Sequence, residues 1–223
     1  MLSIRTLLIA ASAAVAVQFL PSVAAASTPE RLAEATEAVN SLSKTPDRDI
    51  PEDLLKKAHC IVVVPSMKSG AFVVGADYGR GFASCRTGAG WSSPAGVKVE
   101  GGSFGFEIGG TDTEVVMLVM NEAGMNKLLS TKFTLGGEAK VAAGPIGRRG
   151  TAQTDAAMTA EILSYSRSKG VFAGVALNGA TLREDESANK DLYGKAVSNR
   201  TILTGAVPAP EGAHAFVAAV KHF

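Results

Sequence analysis

The stretch WSSPAGVKVEGGSFGFEIGGTDTEVVMLVMN, Trp91–Asn121, constrains this chain more than any other. Val115–Met120 is an unbroken apolar run, rich in β-branched residues and bounded by Thr-Asp-Thr-Glu and Asn. A short apolar run between turn-forming residues reads as a strand buried on both faces. Ahead of it Ser103–Ile108 alternates, with Phe104, Phe106 and Ile108 on one side and Gly105, Glu107 and Gly109 on the other. Gly109-Gly110-Thr111-Asp112 reads as a turn, so the two runs are expected to form a hairpin at the centre of a sheet. Gly101, Gly102, Gly105, Gly109 and Gly110 crowd the same stretch. Glycine weakens a strand unless the backbone bends or something approaches it closely, so a curved sheet is expected.

Residues 1–26 read as a cleaved export leader. Arg5 supplies the positive start, Leu7–Phe19 the apolar segment, and Ala24-Ala25-Ala26 the small-residue cleavage site. The apolar segment is too short for a spanning helix. Cleavage after Ala26 leaves residues 27–223 as one expected domain, periplasmic or secreted, with 21 basic and 21 acidic residues. A general nucleic-acid binder is strongly basic, which this chain is not. Any electrostatic partner must therefore meet a local patch.

Cys60 and Cys85 are the only cysteines. Export permits a disulfide between them, which is the expectation, with two unpaired thiols as the alternative. They do not make a zinc site, which needs four ligands, and His59, His214 and His222 are too scattered to complete one. No metal or other cofactor is expected.

Thr28 followed by Pro29 reads as the start of a helix carrying Leu32, Ala35, Val39 and Leu42 at helical spacing through Lys44. A second helix is expected from Pro51, with acids in its first turn and Lys56-Lys57 in its last, as the helix dipole favours. Ile61–Val64 is an expected strand closed by Pro65. Ser66–Gly70 is an expected turn, Ala71–Ala76 another strand, and Phe82–Cys85 a further one. Asn121 should cap a short helix carrying Met125, Leu128 and Leu129. Lys132–Ala143 and Ala156–Ser166 read as strands, and Glu184–Tyr193 and Gly212–His222 as helices. The expected fold class is α+β: a strongly curved, barrel-like antiparallel sheet with flanking helices.

Gly101-Gly102-Ser103-Phe104-Gly105 matches the Gly-x-Ser-x-Gly elbow of hydrolases, with His214 and His222 downstream. An elbow must turn from a strand into a helix, and the glycine-rich residues after Ser103 are poor helix formers. The match is therefore read as chance, and no phosphate loop is present either. Glu107 reads as a half-buried carboxylate paired with a base rather than as a general acid. An enzyme is not expected.

Several segments in order carry a family likeness: HCIVVVPSMKSGAFVVGADYGRG (His59–Gly81), Cys85-Arg86 with Trp91-Ser92-Ser93-Pro94, and Gly102-Ser103-Phe104-Gly105. Val119-Met120-Asn121, Ala143-Gly144-Pro145 and EILSYSRSKGVFAG (Glu161–Gly174) follow. Together they resemble the SYLF lipid-binding domain, most strongly over residues 51–205. The resemblance implies a non-catalytic module that binds anionic phospholipids, with phosphoinositide-like headgroups, at a membrane surface. The alternative is an envelope protein-interaction or structural module with incidental lipid affinity, its protein partners unknown. The expected lipid contacts are Lys56, Lys57, Lys68, Arg148 and Arg149, all near turns or helix ends. Arg148 and Arg149 lie in the Gly144–Gly150 loop, where folding back onto Glu107 or Asp155 is the structural alternative.

Overall fold

The computed structural model describes residues 26–42, 50–71, 75–103, 109–147, 159–168, 171–175 and 177–223. The leader up to Ala25, the Phe104–Ile108 run with Glu107, and Arg148, Arg149 and Asp155 lie outside them.

The described chain runs α1 (Thr28–Ser41), α2 (Glu52–Lys57), β1 (Cys60–Ala71), β2 (Gly75–Thr87), β3 (Gly90–Trp91), β4 (Ala95–Ser103) and β5 (Gly109–Val119). There follow α3 (Glu122–Leu128), β6 (Lys132–Thr134), β7 (Val141–Ala143), β8 (Ile162–Ser168), β9 (Val171–Gly174) and β10 (Thr181–Glu184). Three helices complete it: α4 (Glu186–Tyr193), α5 (Asn199–Leu203) and α6 (His214–Val220). The strands lie in the order β6-β10-β4-β2-β1-β5-β8-β7, with β3 on β2 and β9 on β8. Only the β7–β8 pair among the described strands is parallel. The sheet curls strongly into a half-barrel, so the α+β class and the curvature are as expected.

Strands β1 and β5, adjacent near the middle of the sheet, carry its longest apolar runs. Ile61 and Val63 of β1, with Val116 and Leu118 of β5, face outward and are covered by α1, α2 and α6. Val62, Val64, Val115, Met117 and Val119 face inward and pack with Val97 and Val99 of β4, Leu128 of α3 and Leu203 of α5. Both faces are therefore dry, and each buried Val or Leu contributes about 1.5–3 kcal/mol of transfer free energy.

The expected central hairpin is not formed. Val115–Met120 is a buried strand as its composition dictates, but β5 pairs with β1 and β8, while β4 pairs with β2 and β10. The position flanked on both sides goes to a strand apolar on both faces. Ile61–Val64 meets that demand, whereas β4 alternates Val97 and Val99 with Lys98 and Glu100. Gly109–Asp112, expected as a turn, are strand residues. So are Ser66–Gly70, because β1 continues through Pro65 with a register irregularity between Val63 and Ser66. At that irregularity the strands close on Gly81, where a Cβ would stand 2.0 Å from the Val63 carbonyl oxygen. Lys132–Ala143 divides into β6 and β7 around Gly136, whose φ of 78° suits glycine.

The first helix starts one residue earlier than its Thr-Pro signal suggests. Ser27 is the N-cap, and Ser27 and Glu30 form a reciprocal capping box. The other end of α1 is tied to the sheet by Arg167, which donates to Ser41 Oγ and, at 2.5 Å, to Glu114 Oε2. Burial raises the Glu114 pKa, and the charge of Arg167 opposes it. Asn121 caps α3 as expected, accepting from the Gly124 N–H at 3.0 Å. Cys60 and Cys85 are opposed in register and bonded to each other. Beside them Arg86 stacks over Trp91 at 4.5 Å and donates to the carbonyls of Leu55, Lys56 and Ala58, closing the C-terminal end of α2.

Candidate functional site: a basic row across the sheet

The pairing register aligns cations that lie far apart in the chain. Lys132 of β6 stands opposite Arg183 of β10, Arg183 opposite Lys98 of β4, and Lys98 opposite Arg80 of β2. Directly opposed residues share a face, so these four basic side chains form one row over four adjacent strands. The row is on the outer face, the face of Phe82, because Phe82 lies two residues along β2 from Arg80. Two residues further out the next row reads Lys68, Tyr78, Glu100 and Thr181. Lys68, Lys132 and Arg183 are exposed, and so is the Tyr78 ring, at 45%.

Like charges directly opposed across strands destabilise a sheet by roughly 0.2–1 kcal/mol per pair, so this row is costly unless countered. Arg183 donates to Glu100 Oε1 at 2.8 Å, a half-exposed pair of small worth. The main counter-ion is Asp185, which follows β10 and N-caps α4, and its side chain is fully inaccessible to solvent. Asp185 Oδ2 accepts from Arg80 Nε at 2.5 Å, and Lys98 Nζ lies 3.4 Å from Oδ1. Ser187 Oγ and the Ala188 N–H also donate to Oδ1. Burial acts to raise this carboxyl's pKa, but hydrogen bonds from Arg80, Ser187 and Ala188 outweigh it and hold the pKa at about 2.

The α4 end of the site is set by a buried amide network. Asn189 Oδ1 accepts from the Gly96 N–H at 2.7 Å, and Asn189 donates to Asn199 Oδ1 at 2.7 Å and to Glu184 Oε1 at 3.2 Å. Asn199 returns a bond to the Gly96 carbonyl at 3.0 Å. Helices α4 and α5 are thus hydrogen-bonded to the backbone of β4, two residues from Lys98. Glycine is required there, since a Cβ on Gly96 would stand 2.8 Å from Ala188 Cβ.

Helix α1 closes the opposite side. Thr28 Oγ1 donates to Asp191 Oδ2 of α4 at 3.0 Å, and Arg31, one turn along α1, lies within electrostatic reach of Arg80 and Asp185. Arg31 is 6% exposed, and its Nη2 donates to the Ala26 carbonyl at 2.8 Å. Its Nη1 is buried without a hydrogen-bond partner among the described residues.

Of the expected lipid contacts that the structure describes, Lys68 alone extends this row. Lys56 and Lys57 sit on α2, before Cys60, and Lys56 forms a 2.6 Å pair with Glu52 one helical turn away. At about 3.3 Å per strand residue, the eight steps from Cys60 to Lys68 put α2 and Lys68 roughly 26 Å apart along β1. Arg148 and Arg149 lie outside the described residues. Arg31, Arg80, Lys98, Lys132 and Arg183 were not singled out in the sequence, although the alternation of Val97 and Val99 with Lys98 and Glu100 is a signal that could have marked Lys98.

The backbone of Ser103 and its preceding glycines is regular strand, paired residue by residue with Gly75–Asp77. Among the described residues no helix is long and apolar enough to cross a membrane, and no three metal-ligating side chains cluster.

The profile of one family, Ysc84, described as Las17-binding protein actin regulator, matches residues 100–223. The chain is 34% identical over 168 residues to the SH3 domain-containing protein PJ696.02 of Schizosaccharomyces pombe, covering 74% of this chain and 39% of that protein. It is 32% identical over 171 residues to Protein YSC84 of Saccharomyces cerevisiae, covering 75% of this chain and 36% of that protein. It is 33% identical over 167 residues to the SH3 domain-containing YSC84-like protein 1 of Rattus norvegicus, covering 74% and 49% respectively. The chain thus spans less than half the length of these relatives.

Proposed function

Because the chain belongs to the Ysc84 family, the SYLF domain family, we propose that it is a non-catalytic module that docks reversibly on anionic phospholipid surfaces. The contact is the outer face of the half-barrel, centred on Lys132, Arg183, Lys98 and Arg80 and extended by Lys68. The observation that carries this reading is the row itself. Opposed like charges cost folding stability, and an anionic surface is the partner that turns that cost into affinity. Each cation near such a surface is worth about 1 kcal/mol, so three or four hold a formally neutral domain reversibly. Exposed Tyr78 beside Lys68 suits the interface zone, where an aromatic ring sits among headgroups.

The same proposal places the domain outside the cytoplasm, delivered by its leader. A Cys60–Cys85 bond suits an oxidising compartment. Flotation of the exported protein with vesicles tests the reading. It should rise with phosphatidylcholine vesicles carrying phosphatidylserine or phosphatidic acid, stay behind with phosphatidylcholine alone, and release as salt shortens the Debye length from about 10 Å at 0.1 M to about 3 Å at 1 M. Equal flotation on neutral vesicles would remove the electrostatic basis of the reading.

A second reading has its own support. The matching family is described by a protein partner and by actin regulation, so the same basic face suits an acidic protein surface. Absence of flotation on every anionic composition would favour it.

A further inference from the structure

Arg31 is poorly explained as a packing residue. It lies on the buried stripe of α1, where Leu32, Ala35 and Val39 supply the apolar contact, and its guanidinium feels the like charge of Arg80. Burial first, and then the like charge of Arg80, push its pKa below the ordinary arginine value. Among the described residues the one buried carboxylate nearby, Asp185, is already occupied by Arg80, Lys98, Ser187 and the Ala188 N–H. Of the other acids acting on Arg31 and Arg80, Glu34 and Asp191 are exposed to solvent. Arg31 Nη1 is left buried with no acceptor among the described residues. An unmet charged donor in such a position is expensive, and a native chain retains one where an acceptor arrives from outside.

We infer that Arg31, Arg80 and Lys98 form a binding site for one phosphate group, at the seam where α1 meets β2, β4 and α4. Arg80 and Lys98 share one buried carboxylate, and with Arg31 they carry excess positive charge that a phosphate neutralises. Its tetrahedral oxygens accept from forked guanidinium groups on two sides, Arg31 on the helix and Arg80 on the strand, with Lys98 as a point charge. The phosphate then bridges α1 to the sheet, so occupancy tightens the fold as well as the contact. The exposed remainder of the row, Lys132, Arg183 and Lys68, would meet the surrounding surface, while the seam takes a single headgroup. The site deepens the membrane-docking reading and rests on it only for the source of the phosphate.

The test is a thermal-shift titration of the whole protein with inorganic phosphate against chloride at equal ionic strength, run beside flotation on phosphatidic acid vesicles. The wild type should show a saturable rise in Tm with phosphate. Arg31→Gln should weaken that binding roughly tenfold or more, the loss expected for one buried charge-assisted pair. Lys221→Gln, an exposed change far from the seam in sequence and in no site described, should leave the titration unaltered. Where Arg31→Gln fails to fold, Lys98→Gln decides in its place with the same expected loss. A wild type with no saturable shift overturns the site, because Nη1 is then served by water alone. A shift indifferent to both substitutions overturns it as well. Vesicle binding without an Arg31-dependent phosphate shift would sink the seam site and leave the docking surface standing. A phosphate shift that depends on Arg31 without vesicle binding would keep the site, make free phosphate or a soluble phosphomonoester its source, and sink the membrane reading.

Discussion

Replacing Asp185 with Asn should weaken the fold and strengthen anionic docking at the same time. The carboxylate is inaccessible to solvent and serves two members of the basic row, at 2.5 Å to Arg80 Nε and 3.4 Å to Lys98 Nζ. Its pKa lies at about 2, against an ordinary value of 3.8. Each pKa unit is worth about 1.4 kcal/mol, so the ionised form contributes on the order of 2 kcal/mol after a discount for the solvent contact of its partners. The pKa is depressed in the folded state, so this stability is present above pH ~4 and disappears as the pH falls towards ~2. Urea unfolding at pH 7 should therefore show Asp185→Asn less stable by about 2 kcal/mol, with little change in slope against urea concentration. Between pH ~4 and ~2 the wild type should lose that advantage and the two curves should converge. The variant gains one net positive charge on the docking face, so vesicle affinity at low salt should rise about fivefold, near 1 kcal/mol. A difference below about 0.5 kcal/mol at pH 7, or parallel curves through the acid range, would refute the claim that Asp185 holds the row together.

Three other outcomes follow from named contacts. Thiol titration of denatured, unreduced protein should find no free thiols, and Cys60→Ala with Cys85→Ala should cost about 3–4 kcal/mol by loop-closure entropy, given the sequence separation of 25. Gly96→Ala should destabilise by about 1–3 kcal/mol in a thermal melt, because the new Cβ meets Ala188 Cβ at 2.8 Å and the Asp185 carbonyl oxygen at 3.0 Å. Ser103→Ala should leave any esterase signal in the preparation unchanged, since the Gly101–Ser103 backbone is paired strand and the glycine-rich sequence after it is a poor helix former, whereas an elbow needs a helix.

What could be read in the sequence was local. The apolar run Val115–Met120 announced a strand dry on both faces, Asn121 announced a helix start, and the cysteines were placed at strand ends where they do meet. The Ser27-x-x-Glu30 box was legible too, but the Thr-Pro pair one residue on drew the helix start forward. Strand order was not legible, because β4 and β5 are neighbours in the chain and yet stand on opposite sides of the β1–β2 pair. The basic row was hidden for the same reason. Arg80, Lys98, Lys132 and Arg183 are each an ordinary outward residue on its own strand, and only the register between strands up to a hundred residues apart lines them up. Charges near turns and helix ends drew attention to Lys56 and Lys57 instead, which lie at the other end of β1.

That contrast defines the most direct measurement of where the domain docks. Two variants carry the same change in net charge: Lys68→Glu with Lys132→Glu on the outer face, and Lys56→Glu with Lys57→Glu on α2. Both are compared with the wild type by flotation on phosphatidylserine-containing vesicles at low salt. The outer-face variant should lose affinity more than tenfold, since reversing two contact charges removes about 4 kcal/mol by additive estimate, while the α2 variant keeps most of its binding. Loss confined to the α2 variant, or equal loss in both, would contradict docking through the basic row.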